Sequence, residues 1–178
     1  MVYDFKLGNY QTAAVLLVDF LRGRYSRSEL ECFTLCVIPA STMEKNERRY
    51  RRFCEYVSAK TGIQNGMDAI SILYDRANSK EGKSENTILN LAFSESVMGA
   101  DVLLFDDIMT RGTSFTQCAG RLMERGANSV TGFSAWMAVV WDIQRTGPLP
   151  FVLSIGIMPW KKTMSERSGK IMLTCPVF

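Results

Sequence analysis

Val102-Leu103-Leu104-Phe105-Asp106-Asp107-Ile108-Met109-Thr110-Arg111-Gly112-Thr113-Ser114 is the stretch that decides how this chain is read. Its run of apolar residues predicts a buried strand over Asp101–Asp106, with two carboxylates at its end. A turn rich in glycine and hydroxyls follows, and then a helix is predicted from Ser114 to Arg125, stopped by Gly126. Such a turn aims successive backbone N–H groups at one point, and the helix dipole adds partial positive charge there. Gly112 lets the backbone approach a ligand closely, and Thr110, Thr113 and Ser114 add hydroxyl donors. The combination suits a phosphate monoester dianion, with vicinal hydroxyls or a metal held by Asp106 and Asp107. A phosphorylated sugar meets both demands.

Upstream, Cys32–Ile38 predicts another buried strand, stopped by Pro39. Ser41-Thr42 offers caps for a helix running to about Lys60 and closed by Gly62. Asn9 is the predicted cap of a first helix to about Leu21, with Gly23 past its end. Asp68–Tyr74 reads as a strand, and residues 75–87, polar and without periodicity, as an exposed, mobile loop. Downstream, strands are predicted within Asn128–Val140 and over Phe151–Ile157, with Ile171–Phe178 as an edge strand after a basic stretch from Lys161 to Lys170. The aromatic-rich stretch Phe133–Trp141 reads as core, with a base-stacking platform as the other reading. Strands alternating with helices predict an α/β fold, a mainly parallel sheet with helices on both faces. Ligands of such sheets bind outside the carboxyl ends of the strands, where strand order reverses.

Composition narrows the chemistry. At 178 residues, with no repeat or linker, the expectation is one domain over residues 1–178. A hydrophobic share of 47% and a net charge of +3 argue against disorder. The chain has no histidine, which excludes Ser-His-Asp and Cys-His catalysis, histidine-ligated zinc and a histidine base. Five cysteines without a CxxC pair point to a reducing compartment, and Cys32 and Cys36, inside an apolar run, read as buried structural thiols. With no leader pattern and no long apolar run, the expectation is a cytoplasmic protein with no membrane span. Lys45–Arg52 packs five cations into eight positions. Helical spacing puts Lys45, Arg48, Arg49 and Arg52 on one face and Tyr50, Phe53, Cys54 and Val57 on an apolar one. Three readings stand for the basic face: plain solvation, contact with pyrophosphate or substrate, and binding of nucleic acid or an acidic partner.

The stretch from Val102 to Ser114 resembles the phosphoribosyl-pyrophosphate signature of type I phosphoribosyltransferases: an apolar strand, two acids, two apolar residues, then Thr-x-Gly-x-Ser/Thr. Over roughly residues 32–140 the chain looks most like the ComF-like (competence protein F-like) branch. The matching features are Val37-Ile38-Pro39, Arg48-Arg49-Tyr50, and Arg76 with Asn90 and Phe93. The resemblance implies that fold, with a small hood drawn from residues 1–30 and 141–178. It implies that Asp106 and Asp107 grip the ribose hydroxyls and, indirectly, Mg2+, while Thr110, Arg111, Gly112, Thr113 and Ser114 cradle the 5-phosphate. Ala40, Ser41 and Thr42 would face the pyrophosphate, and the 75–87 loop, with Arg76, Lys80 and Lys83, resembles a lid. Trp141, Phe151, Trp160 and Phe178 are the residues that could stack on a base.

Two positions depart from the pattern. Arg111 stands beside the glycine where the family has Thr or Ala, and Arg49 stands where the branch has Gly. The implied activity is transfer of a phosphoribosyl group to a nitrogenous base with release of pyrophosphate. The alternative is a non-catalytic phosphoribosyl- or nucleotide-sensing module within a DNA-uptake or defence assembly, acting as a homo-oligomer or with partner proteins. If Asp106 and Asp107 are an exposed, mutually repelling pair, neutralising both leaves the melting temperature unchanged or raised.

Overall fold

Phe33–Val37 forms strand β1, buried from Thr34 onward, in a computed structural model that describes residues 2–74, 87–109, 112–137, 157–164 and 171–174. Before it come three helices, α1 (Val2–Lys6), α2 (Gln11–Arg24) and α3 (Arg27–Leu30). The α2 N-cap is Tyr10, with no side-chain cap, so Asn9 does not cap it as expected. Ser26 and Glu29 instead form a reciprocal capping box on α3. After β1, Thr42 caps α4 (Met43–Thr61), and Gly62 closes it in the left-handed conformation at φ 84°.

The apolar face of α4 is the one the spacing predicts: Tyr50, Phe53, Cys54 and Val57 are all buried. Burying each large apolar side chain contributes about 1.5–3 kcal/mol. The exposed ion pairs on its other face, Arg48–Glu44 and Arg51–Glu47, contribute about 0–1 kcal/mol each. Packing therefore sets how α4 lies.

The strand order is β2-β1-β5-β6-β7-β8, where β2 is Gln64–Asn65, β5 Asp101–Met109, β6 Ser129–Met137, β7 Ile157–Met164 and β8 Ile171–Thr174. The β2–β1, β1–β5 and β5–β6 pairings are parallel; β6–β7 and β7–β8 are antiparallel. Helix α5 (Thr113–Glu124) connects β5 to β6. The fold is thus α/β with a mainly parallel central sheet. One predicted strand belongs elsewhere. Residues 67–69 form a 3-10 turn, and only Ile70–Ile72 (β3) is extended, pairing antiparallel with Leu91–Phe93 (β4) in a separate ribbon. The apolar run did not reveal which sheet it would join.

Side-chain alternation along β5 divides the core in two. Leu103 and Phe105 pack with α1, α2, α4 and Phe133 of β6. Val102 and Leu104 pack with Phe115, Cys118, Ala119 and Leu122 of α5 and with the β3–β4 ribbon. Residues from the segment expected as part of a hood, Phe5, Ala13, Leu17, Leu21 and Leu30, sit in the first of these cores. Gly132 on β6 is where Phe115 rests: a Cβ there would meet the Phe115 ring at 2.4 Å. Cys36, Cys54 and Cys118 are buried, and burial pushes the Cys36 and Cys118 thiols up to about 12. Cys32, expected inside with Cys36, is exposed, because it lies just before β1 begins. The Phe151–Ile157 strand expectation falls mostly outside the described residues, as do Trp141, Phe151, Cys175 and Phe178.

Candidate functional site

Strand order reverses between β1 and β5. The chain leaves β1 toward β2 on one side and leaves β5 toward β6 on the other, so the carboxyl ends of β1 and β5 are where such sheets take their ligands. The Ile38 amide donates to the Phe105 carbonyl at 2.9 Å, which carries β1–β5 pairing up to the residue before the two acids. β5 itself continues past them to Met109, in register with β6 at Asp106↔Ser134, Ile108↔Trp136 and Met109↔Met137. The acids therefore lie within the pleated strand and not on a turn beyond it. Consecutive residues of a strand start toward opposite faces, yet the side chains of Asp106 and Asp107 reach each other and share a hydrogen bond.

Asp107 follows Leu103 and Phe105 toward α4 and is buried. Its Oδ2 accepts a hydrogen bond from Arg49 Nη1 at 2.9 Å, with both side chains nearly enclosed, at 13% and 10% exposure for Arg49 and Asp107. Arg49 Nε is buried without a hydrogen-bond partner, and the guanidinium carbon lies 5.8 Å from the centre of the Tyr50 ring. Burial, together with the charges of Asp107 and Asp106, holds the Tyr50 hydroxyl well above its usual range. Asp106 follows Val102 and Leu104 to the α5 side, where its charge also raises the Cys118 thiol. Loss of hydration, then the neighbouring Asp107 charge and the hydrogen bond between the two carboxyl groups, push the Asp106 carboxyl up to about 8.

Helix α5 starts at Gly112, whose φ of 69° is left-handed and suits glycine. The Gly112 carbonyl accepts from the Thr116 amide at 2.9 Å and from Thr116 Oγ1 at 3.0 Å. No side chain caps this end, and no acid lies in the first turn, so the amides of Thr113 and Ser114 head a helix terminus without a side-chain acceptor. Only three residue steps separate Met109 from Gly112, which limits their separation to about 11 Å. The helix begins one residue earlier than its sequence predicts.

The loop after β1 is largely committed to building α4. The Ala40 amide donates to Asn46 Oδ1 at 3.1 Å, and Thr42 Oγ1 accepts from the Lys45 amide at 3.2 Å. Lys45 Nζ reaches Ser41 Oγ at 3.5 Å. The sequence did not single out Asn46. Thr110, Arg111, Arg76, Lys80 and Lys83, and the 75–87 loop apart from Thr87, lie outside the described residues. At the base of that loop, buried Asn90 accepts from the Tyr74 amide at 3.0 Å and donates through Nδ2 to the Tyr74 carbonyl at 2.6 Å.

No protein-family profile matches the chain. Over 67 residues, 38% of its length, it is 37% identical to a ribose-phosphate pyrophosphokinase of Brucella melitensis. That match spans 20% of the relative, so the chain covers about a fifth of its length. Among solved structures, it is similar to a phosphoribosylpyrophosphate synthetase from Mycobacterium smegmatis, at 18% identity and a TM-score of 0.46 over 74% of this chain and 35% of that one. It is also similar to a hypoxanthine-guanine-xanthine phosphoribosyltransferase, at 13% identity and a TM-score of 0.42 over 84% of this chain and 72% of that one. The hypoxanthine phosphoribosyl transferase of Trypanosoma cruzi gives 14% identity and a TM-score of 0.41, over 84% of this chain and 70% of that one.

The Lys45–Arg52 face is not a bare cationic stripe. Arg48 pairs with Glu44 and Arg51 with Glu47, while Arg51 also approaches Asp68 at 3.8 Å and Arg49 turns inward to Asp107. Among the described residues no helix is long and apolar enough to cross a membrane.

Proposed function

We propose that this chain binds the 5-phosphate of a phosphoribosyl compound, phosphoribosyl pyrophosphate or a nucleotide, at the α5 N-terminus, with the sugar hydroxyls directed at the acid end of β5. The observation that carries this reading is the uncapped, acid-free start of α5, at most about 11 Å along the chain from the end of the strand bearing Asp106. The dianion would accept from the first-turn amides, whose partial positive charge favours it. Sugar hydroxyls would hydrogen-bond the Asp106 carboxyl, which holds its proton at neutral pH and so can donate as well as accept. The identity shared with a ribose-phosphate pyrophosphokinase supports a ribose-phosphate ligand. The positions of Pro39 after β1, of buried Asn90 and of Phe93 in β4 support the finer, ComF-like part of the reading.

As a transferase, the protein would join a base nitrogen to ribose C1. The C1–oxygen bond would break, pyrophosphate would leave with the electron pair, and the nucleophile's proton would pass to solvent. Such a reaction needs charge neutralisation on pyrophosphate and exclusion of water more than it needs a histidine. A Mg2+ arriving on a pyrophosphate ligand would neutralise the leaving group, and the oxygens of Asp106 could face it only on giving up the proton that burial and Asp107 favour. Among the described residues no group of three or more His, Cys, Asp or Glu side chains could hold a metal by itself.

Calorimetric titration with phosphoribosyl pyrophosphate and ribose 5-phosphate, with and without Mg2+, tests binding. A pyrophosphate-release assay across purine and pyrimidine bases tests transfer. Binding with release supports the enzyme, and binding without release leaves a phosphoribosyl-binding module. No binding of any ribose 5-phosphate compound overturns the proposal.

A further inference from the structure

We infer that Arg49 is a built-in cation at the acid end of β5: its guanidinium supplies the positive charge that a divalent metal would bring to the two carboxyls, so the chain takes phosphoribosyl pyrophosphate without Mg2+. This rests on the binding reading above.

Packing brings this cation from a distant part of the chain. The apolar stripe of α4 lays Tyr50 and Phe53 against Phe105 of β5, with ring centroids 6.4 and 4.4 Å apart. Arg49, beside that stripe, is thereby carried to the end of β5, 58 residues away in sequence, where its Nη1 donates to Asp107 Oδ2 at 2.9 Å. Both side chains are nearly enclosed, so little water screens the contact. The acids act together: Asp107 hydrogen-bonds Asp106, and the charges of both reach the buried Tyr50 hydroxyl next to Arg49. The guanidinium therefore offsets the charge of a connected cluster and not of one isolated carboxylate. Its Nε makes no hydrogen bond.

The donor set does not fit a divalent cation. Mg2+ sheds its water reluctantly and takes ionised oxygens in near-octahedral array. Here one Asp107 oxygen already accepts from a guanidinium, and the two carboxyls are bonded to each other. A metal at these oxygens would also sit close to Arg49, and like charges in poorly hydrated surroundings repel strongly. What a metal would do for ligand capture is spare an anionic ligand the negative field of the acids. Arg49 does that from inside the fold, already fixed in place before the ligand arrives. A glycine at position 49 would bring no charge, which gives the departure from the branch pattern a physical role.

The test is calorimetric titration of the full chain with phosphoribosyl pyrophosphate, in excess Mg2+ and in EDTA. Wild-type affinity should agree within about threefold between the two conditions. Arg49→Gln removes the charge and should make binding depend on the metal, at least about tenfold tighter with Mg2+ than without. A wild type that loses about tenfold or more in EDTA overturns the inference. So does a folded Arg49→Gln chain whose affinity ignores Mg2+, the result expected if Arg49 served the fold alone. A second measurement needs no variant: Mn2+ added to the ligand-free wild type should leave the 13C carboxyl resonances of Asp106 and Asp107 unbroadened. Paramagnetic broadening of either resonance overturns the inference even if Arg49→Gln fails to fold. Absence of phosphoribosyl pyrophosphate binding in both conditions would instead overturn the binding reading, and the metal-free capture with it.

Discussion

Arg49 Nη1 and Asp107 Oδ2 meet at 2.9 Å, with 13% and 10% of their side chains exposed. The acids repel each other, as expected, but they are not an exposed pair, so neutralising both also removes the buried Arg49–Asp107 bond. Removing one partner strands a buried charge, which costs about 3–5 kcal/mol. Arg49→Met should destabilise by that amount in urea unfolding. Arg49→Met with Asp107→Asn should recover more than half of the loss. Additive losses would mean the contact is not an energetic pair.

Asp106 makes stability depend on pH with a definite sign. Its folded-state carboxyl is raised from 3.8 to about 8, so between these values the folded chain binds more protons than the unfolded one. The contribution is fully present below about pH 4 and is lost as pH rises toward 8. The wild type should lose melting temperature from pH 5 to pH 8 relative to Asp106→Asn, which lacks the titrating group. Parallel profiles for the two proteins would show that the carboxyl is not shifted upward.

Gly132 couples the sheet to the candidate anion seat. A Cβ at this position would lie 2.4 Å from Phe115, a buried residue in the first turn of α5. Gly132→Ala should cost about 1–3 kcal/mol by overpacking. Because Phe115 must shift and carry the helix start with it, phosphate-ligand affinity should fall as well. Retention of both stability and affinity would mean that the ring has room to move.

Asn90 uses its side-chain amide and carbonyl on the two backbone groups of Tyr74, while its own carbonyl accepts from the Leu73 amide at 3.0 Å. Asn90→Ala removes both side-chain hydrogen bonds to the Tyr74 backbone, at about 0.5–1.5 kcal/mol for each bond. Amide exchange at Leu73 and Tyr74 should accelerate more than exchange in β5. Uniform acceleration across the chain would point to global destabilisation instead.

Much of the fold was legible because its signals are local. The apolar run of β5, the Thr42 cap, the left-handed Gly62 and the apolar stripe of α4 each reflect residues a few positions apart. The misplacements follow from the same limit. Three extended residues at Ile70–Ile72 look alike whether they join the central sheet or a separate ribbon, because pairing partners lie about twenty residues away. The acid pair was visible in the sequence, but its difference in environment was not.

The sequence by itself determined that an apolar strand would carry two carboxylates into a glycine turn and a helix start, since periodicity, capping and backbone freedom are properties of neighbours. Only the tertiary structure decided that Asp107 meets Arg49 and that Asp106, beside it, loses its water. Which face of a strand a residue occupies, and which helix covers that face, depends on packing between segments far apart in the chain. Burial then decides whether a charge stays hydrated, takes a counter-ion or holds its proton.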